Sequence, residues 1–345
     1  MKITTIMTVV MVGLLTGCAT NSDHLPLTKR IVGEEAVSSG PEEVSVQFLG
    51  VGGFLMRYQD VSVLTGPSFS NPGFLGFPPA PYQPISPDEA RIDKLMPDAS
   101  DASMMLIGHA HYDHLLDVPH VMNNQAKNAR VYGSKTMKHT IVSEVSADRI
   151  EIVNGKAATA GAHPGEWLYD DENKVRVMAI ESEHSPHFMG IKFLQGTYNE
   201  DLPALPWDAH AWLEGQTYAW LVDFLNDDGR PVYRVHFQDA ACNASMGIPP
   251  QLNDGKRVDL SLQTVGAYQE VDDYPEALVE IMQPRVSVLG HWEDFFGNNP
   301  EGPHKPVMFA DIDAYIERLE LAQPDDATWI MPEPLAVMNF PVKDL

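Results

Sequence analysis

The chain has 345 residues, 44% hydrophobic and 21% charged, a globular composition that excludes disordered, collagenous and stapled mini-protein classes. With 23 Lys and Arg against 48 Asp and Glu the formal charge is −25, which repels polyanions and argues against a nucleic-acid partner. Only Cys18 and Cys242 are available for disulfides, so a disulfide framework has little to work with.

Residues 1–17 place one lysine before an apolar stretch from Ile3 to Leu15, which predicts a signal peptide too short to span a membrane as a mature helix. The sequence Leu15-Thr16-Gly17-Cys18 resembles the bacterial lipobox, which implies cleavage before Cys18 and lipid attachment to its thiol. Ala19 at the following position implies export to the outer membrane, on the periplasmic or cell-surface side. Polar residues 18–43 read as a tether and residues 44–345 as the folded body. Cys242 is then left without a partner.

The body opens with alternation over Val44 to Leu49, a Gly52-Gly53 turn, and further strand pattern at Phe54 to Tyr58 and Val61 to Thr65, predicting a β-meander. Residues 66–92 are too rich in proline for a helix or central strand and read as an ordered loop. Phe74, Leu75, Phe77 and Tyr82 in that loop suit either core packing or contact with an acyl chain. A buried strand over Met104 to Ile107 precedes a helix over Leu115 to Met122, then Val131, Ser134 to Ser143 and Ile150 to Val153 as strand, helix, strand. Strands follow at Val175 to Ile180, Tyr218 to Phe224, Val232 to Phe237, Val258 to Leu262 and Val286 to Leu289, with helices at Pro275 to Met282 and Ala310 to Leu321. The pattern is α/β, mixed sheets covered by helices. An aromatic stretch over 203–220, with Trp207, Trp212 and Trp220, suits a substrate lid or local packing equally.

Directly after the Met104 to Ile107 strand comes Gly108-His109-Ala110-His111-Tyr112-Asp113-His114. Three imidazoles and a carboxylate where the chain turns can converge on one point, and these ligand types suit zinc, manganese or iron rather than calcium.

This His-x-His-x-Asp-His run after a strand resembles the metallo-β-lactamase superfamily, whose fold is an αββα sandwich of two mixed β-sheets flanked by helices. Three more apolar runs lead into Glu183-His184, Gln238-Asp239 and Gly290-His291-Trp292, in the order and strand context of that family. Phe48 to Phe54, the Leu64-Thr65-Gly66-Pro67 turn, the proline-rich loop and His291-Trp292 resemble the branch with N-acyl-phosphatidylethanolamine-hydrolysing phospholipase D and L-ascorbate-6-phosphate lactonases, over about residues 44–295. That branch usually has Asp where this chain has Gly66.

The resemblance implies two divalent ions, zinc first with manganese or iron as alternatives. It places His109, His111 and His184 on one ion, Asp113, His114 and His291 on the other, and Asp239 between them. The implied activity is hydrolysis of a phosphodiester, phospholipid-like or lactone/ester substrate by a hydroxide bridging the ions. Coordination lowers the pKa of water from about 15.7 to about 7, on the order of 12 kcal/mol of activation at ~1.36 kcal/mol per unit.

His187 stands three residues past His184 and is an alternative ligand or a donor to substrate; strand phase favours His184 as the ligand. His236 and His120 read as packed or structural, and His24, His139, His163, His210 and His304 as surface residues. Competing functions are a non-catalytic lipoprotein that binds metal or a partner, and an iron-dependent redox enzyme on the same fold. A true β-lactamase fits less well, because the zinc-dependent ones commonly carry Cys at the position of Asp239, and Cys242 lies three residues away.

Overall fold

The computed structural model describes residues 31–32, 43–73, 81–159, 163–297 and 300–342. The signal segment, Cys18, most of the tether, and Phe74, Leu75 and Phe77 lie outside them. No helix among the described residues is long and apolar enough to cross a membrane.

Two mixed sheets form the frame. The first, in spatial order, is β15 (Val337–Pro341), β2 (Glu43–Gly50), β3 (Gly53–Tyr58), β4 (Val61–Thr65), β5 (Ala102–Leu106), β6 (Arg130–Gly133) and β7 (Ile150–Ile152). The second is β1 (Ile31–Val32), β14 (Thr328–Pro332), β13 (Val286–Gly290), β12 (Leu260–Thr264), β11 (Pro231–Phe237), β10 (Tyr218–Leu225), β9 (Val175–Glu181) and β8 (Leu168–Tyr169). Side chains alternate between faces, so Val44, Val46, Phe48, Met56, Met104 and Leu106 of the first sheet meet Val177, Trp220, Val222, Phe237 and Leu262 of the second in one buried core. The opposite phase of the first sheet, Leu55, Leu64, Met105, Ile107 and Val131, packs on helices α1 (Glu89–Leu95), α2 (Tyr112–Leu115), α3 (Val118–Asn124) and α4 (Lys135–Ile141). Helices α5 (Glu276–Met282) and α6 (Ile312–Ala322) add Leu278, Val279, Ile316 and Leu319 to the core on the side of the second sheet. This is the αββα sandwich expected from the sequence.

The meander is present as β2, β3 and β4, paired antiparallel. Three local expectations need correction. The region 66–92 is not loop throughout, because α1 starts at Glu89 with the Asp88 side chain accepting the Arg91 N–H as its cap. The helix placed over 115–122 is two short ones, the second restarting with Pro119 in its first turn, where a missing N–H costs nothing. The strand placed over 258–262 begins at Leu260, because the Asp259 carboxylate itself takes the Arg234 N–H. Strands β1, which lies within the segment read as a tether, β8, β14 and β15 went unforeseen.

Within 203–220, Trp212 and Trp220 are fully buried, donating to Pro206 O and Ile107 O respectively. Trp207 is exposed and stacks on Tyr82 with centroids 5.8 Å apart. Local packing therefore accounts for most of this stretch.

Candidate metal centre

The four side chains of the His109 to His114 run leave the end of β5 on a turn whose backbone is pinned to neighbouring segments, Ala110 N–H donating to Glu214 O (2.9 Å) and Tyr218 N–H to Gly108 O (2.8 Å). Gly108 is required for close approach, since a Cβ there would lie 2.1 Å from Asp239 Cβ. His184 follows β9, Asp239 follows β11 and His291 follows β13, so strand ends of both sheets deliver all seven side chains to one region.

The distances are short. One ligand atom from each of His109, His111 and His184 lies within 4.8 Å of the others, and the same holds for His109, Asp113 and His114. Asp239 joins the groups, its Oδ2 2.6 Å from His109 Nδ1 and its Oδ1 3.1 Å from His114 Nδ1. Asp113 Oδ2 lies 3.4 Å from His114 Nε2 and 3.5 Å from His291 Nε2.

Proton positions follow from the partners, because carboxylates and carbonyls only accept. His109 must donate from Nδ1 to Asp239, which leaves the lone pair of a neutral ring on Nε2; that atom is buried and has no hydrogen-bond partner among the described residues. His184 donates from Nδ1 to Ser185 O at 2.7 Å, which also frees Nε2. His111 directs Nε2 to Leu194 O at 3.4 Å and keeps its lone pair on Nδ1. His187 is the reverse case. Its Nδ1 accepts the Phe193 N–H at 3.1 Å, so the neutral ring carries its proton on Nε2 and acts there as a donor. The two rings stack 4.5 Å apart, with His187 also 5.6 Å from His111.

Burial is the leading cause that holds His111 and His184 well below the usual imidazole range, and it brings His187 down to about 4. At His114 burial opposes the charged ring, yet Asp239 and Asp113 outweigh it and lift the group to about 9. For Asp113 and Asp239 burial favours the neutral acid, but the surrounding imidazoles, His114 foremost, pull both below the ordinary carboxylate range.

These donors fit a divalent cation. His109 Nε2 is a buried ring nitrogen with no hydrogen-bond partner among the described residues, and the Nε2 atoms of His114 and His291 both face Asp113 Oδ2. Unpaired polar atoms of this kind are costly unless something binds them.

The remaining candidates settle as follows. Gly66 has no room for the Asp of the resembled branch, because a Cβ there would lie 2.2 Å from His114 O. His236 is packed, donating Nε2–H to Gly247 O at 2.8 Å, and His120 is held by Asp93 at 2.8 Å. Cys242 is buried and unpaired among the described residues, with Met246 O accepting from its thiol, and burial pushes it up to about 11. Sequence reasoning missed Gln238, whose Nε2 donates to Ser182 Oγ and Ala240 O and so ties the approach to His184 to that of Asp239. It also missed Glu293, whose place two residues after His291 was the only signal.

No family model and no curated relative matches the chain. Among solved structures it is similar to Igni18, described as a novel metallo hydrolase from Ignicoccus hospitalis, at 15% identity over 87% of this chain and 100% of that one, TM-score 0.47. It is also similar to the metallo-β-lactamase fold protein YhfI from Bacillus subtilis, at 11% identity over 87% and 100%, TM-score 0.47. A third likeness is to CmlA, a diiron β-hydroxylase from Streptomyces venezuelae, at 13% identity over 88% of this chain and 55% of that one, TM-score 0.45.

Proposed function

We propose that the chain is a metal-dependent hydrolase with two divalent ions, zinc in the first instance, held by His109, His111 and His184 and by Asp113, His114 and His291, with Asp239 shared. The observation that carries this reading is His109 Nε2, buried without a hydrogen-bond partner among the described residues, on a side chain that belongs to both groups of ligand atoms lying within 4.8 Å of one another. Asp239 supports the shared role by placing one oxygen on a ring of each group. Bound ions would supply an activated water at neutral pH and polarise the scissile oxygen.

The chain's own groups orient that chemistry. Asp239 takes the Nδ1 proton of His109 and fixes its tautomer, and Ser185 O does the same for His184. His187, neutral and with its proton on Nε2, is placed to donate a hydrogen bond to a substrate oxygen beside His184 and His111.

Among phosphodiesters, phospholipid-like molecules and lactones or esters, one surface favours substrates with an apolar tail. Met189 (70% exposed), Ile191, Phe193, Met308 and Phe309 are exposed together beside His187, whose ring lies 5.4 Å from that of Phe193. Phe188 joins the two loops through its ring contact with Phe309 at 5.0 Å. The lipid anchor on Cys18 is part of the same proposal, because it would hold this rim near a membrane; palmitate labelling lost in Cys18→Ser checks it.

The test is metal analysis of protein purified without added metal, followed by hydrolysis assays on bis-p-nitrophenyl phosphate, lactones and N-acyl phospholipids. Chelator-sensitive turnover that is lost in Asp113→Ala is expected. Bound metal with no turnover of any substrate class, or bound iron with oxygen consumption, would overturn hydrolysis.

A further inference from the structure

Glu293 is a buried carboxylate, 2% exposed, whose Oε2 has no hydrogen-bond partner among the described residues. Its Oε1 accepts the N–H of Val51, in the turn between β2 and β3, at 2.5 Å. The carbonyl of Val51 accepts the His291 N–H at 2.9 Å, so both backbone polar groups of one residue are held by the segment 291–293. Val51 (φ 54°) and His291 (φ 53°) are both left-handed, a conformation that a β-branched residue adopts only when its surroundings enforce it. The next residue in the turn, Gly52, lies against the metal-site side chains: a Cβ there would stand 2.8 Å from His114 Nδ1 and 2.9 Å from Asp239 Oδ1.

The turn therefore belongs to the first sheet, the His291 segment to the second, and Glu293 couples them at the point where both reach His114. We propose that Glu293 is a positioning residue, whose Oε1 locks the Val51 turn to the His291 backbone and so sets the spacing of His291, His114 and Asp239 for the ion they share. A carboxylate buried with one partner is a poor stabiliser of the fold, so its contribution is geometric. The role needs an acceptor at the reach of Oε1 and does not need the charge. The inference rests on the metal-centre reading above.

The experiment measures zinc stoichiometry and affinity of the full chain by competition with a chromophoric chelator, with the cobalt-substituted visible spectrum as a second readout. Glu293→Gln keeps the acceptor and removes the charge; Glu293→Asp keeps the charge and draws the acceptor back by one methylene. We expect Glu293→Gln to bind two equivalents within about threefold of wild-type affinity and to keep the cobalt spectrum. Glu293→Asp is expected to weaken one equivalent by tenfold or more, with a changed spectrum. An aspartate variant that behaves as wild type, or a glutamine variant that loses an equivalent, overturns the positioning role while leaving the metal centre standing. Wild-type protein that takes up no zinc overturns both. A folded-state melting curve alongside the titration separates loss of spacing from loss of fold.

Discussion

Among the described residues, two buried clusters of charged and titratable side chains are built on opposite principles. At one end of the second sheet, Arg234 (2% exposed) directs all five of its side-chain N–H groups at acceptors: Asp223 through Nε and Nη2, Asp254 through Nη1 and Nη2, and Lys256 O through Nη1. Arg176 adds a second pair of bonds to Asp223 and lies over the ring of Trp167 at 4.1 Å. That cluster is closed by its own counter-charges. At the ends of β5, β9, β11 and β13 the histidine cluster leaves the buried His109 Nε2 without a hydrogen-bond partner among the described residues. Completeness marks the first as structural and incompleteness marks the second as the candidate site, although both are buried and both contain aspartate.

Replacement at the open cluster gives the largest effect. Asp113→Ala removes the carboxylate between His114 and His291 and is expected to lower turnover roughly 10³-fold or more, with loss of bound metal, by steady-state assay and metal analysis. Replacement at the closed cluster gives a different signature. Asp223→Ala leaves Arg234 and Arg176 buried without their main partner and should cost about 3–5 kcal/mol in a denaturant titration. Added zinc should stabilise wild type by mass action, about 4 kcal/mol at a thousandfold excess over Kd, and Asp223→Ala by the same increment but Asp113→Ala by much less. Equal zinc stabilisation of all three proteins would erase the distinction between the clusters.

The pH dependence of stability sharpens the comparison from a third position. His236 lies inside β11, and burial lowers it to about 4 from an ordinary value of 6.5. Between those values the unfolded chain binds a proton that the folded chain refuses, so the stabilisation is fully present above pH 6.5 and is lost as pH falls towards 4. The loss is roughly 3 kcal/mol. His236→Gln, which can still donate to Gly247 O, should show a smaller decline over the same window in parallel denaturant titrations. An unchanged slope would assign the acid sensitivity to other groups.

What the sequence disclosed follows the same division between local and distant order. His109, His111, Asp113 and His114 were legible because four ligand-type side chains share six residues after an apolar run. His184, Asp239 and His291 were legible because each apolar run stops a few residues short of one. Glu293 and Gln238 were not, since an isolated polar residue carries no periodicity and acquires its role only from a backbone group brought near it by the fold. Strands β14 and β15 were hidden for a related reason. Each is five residues long and ends in proline, and β15 pairs with β2 about 290 positions away, a partner no local window contains. The helix α1 was masked by the prolines before it, although Asp88 with Glu89 is an ordinary start signal.

The choice between His184 and His187 shows how far strand phase reaches and where a hydrogen bond takes over. Phase put His184 nearer the end of β9, but the two rings stack at 4.5 Å, so position alone separates them weakly. The proton does it better: Phe193 N–H occupies His187 Nδ1 and forces the ring proton onto Nε2, whereas Ser185 O fixes the opposite tautomer in His184. If His184 is a ligand and His187 a donor, His184→Ala should lose metal, whereas His187→Ala should retain full metal content. A hydrogen bond to a charged acceptor is worth about 1.5–3 kcal/mol, so the second variant should lose roughly tenfold to a hundredfold in kcat. Loss of a metal equivalent in His187→Ala, with none lost in His184→Ala, would exchange the two roles and show that the Phe193 bond breaks when the ion enters.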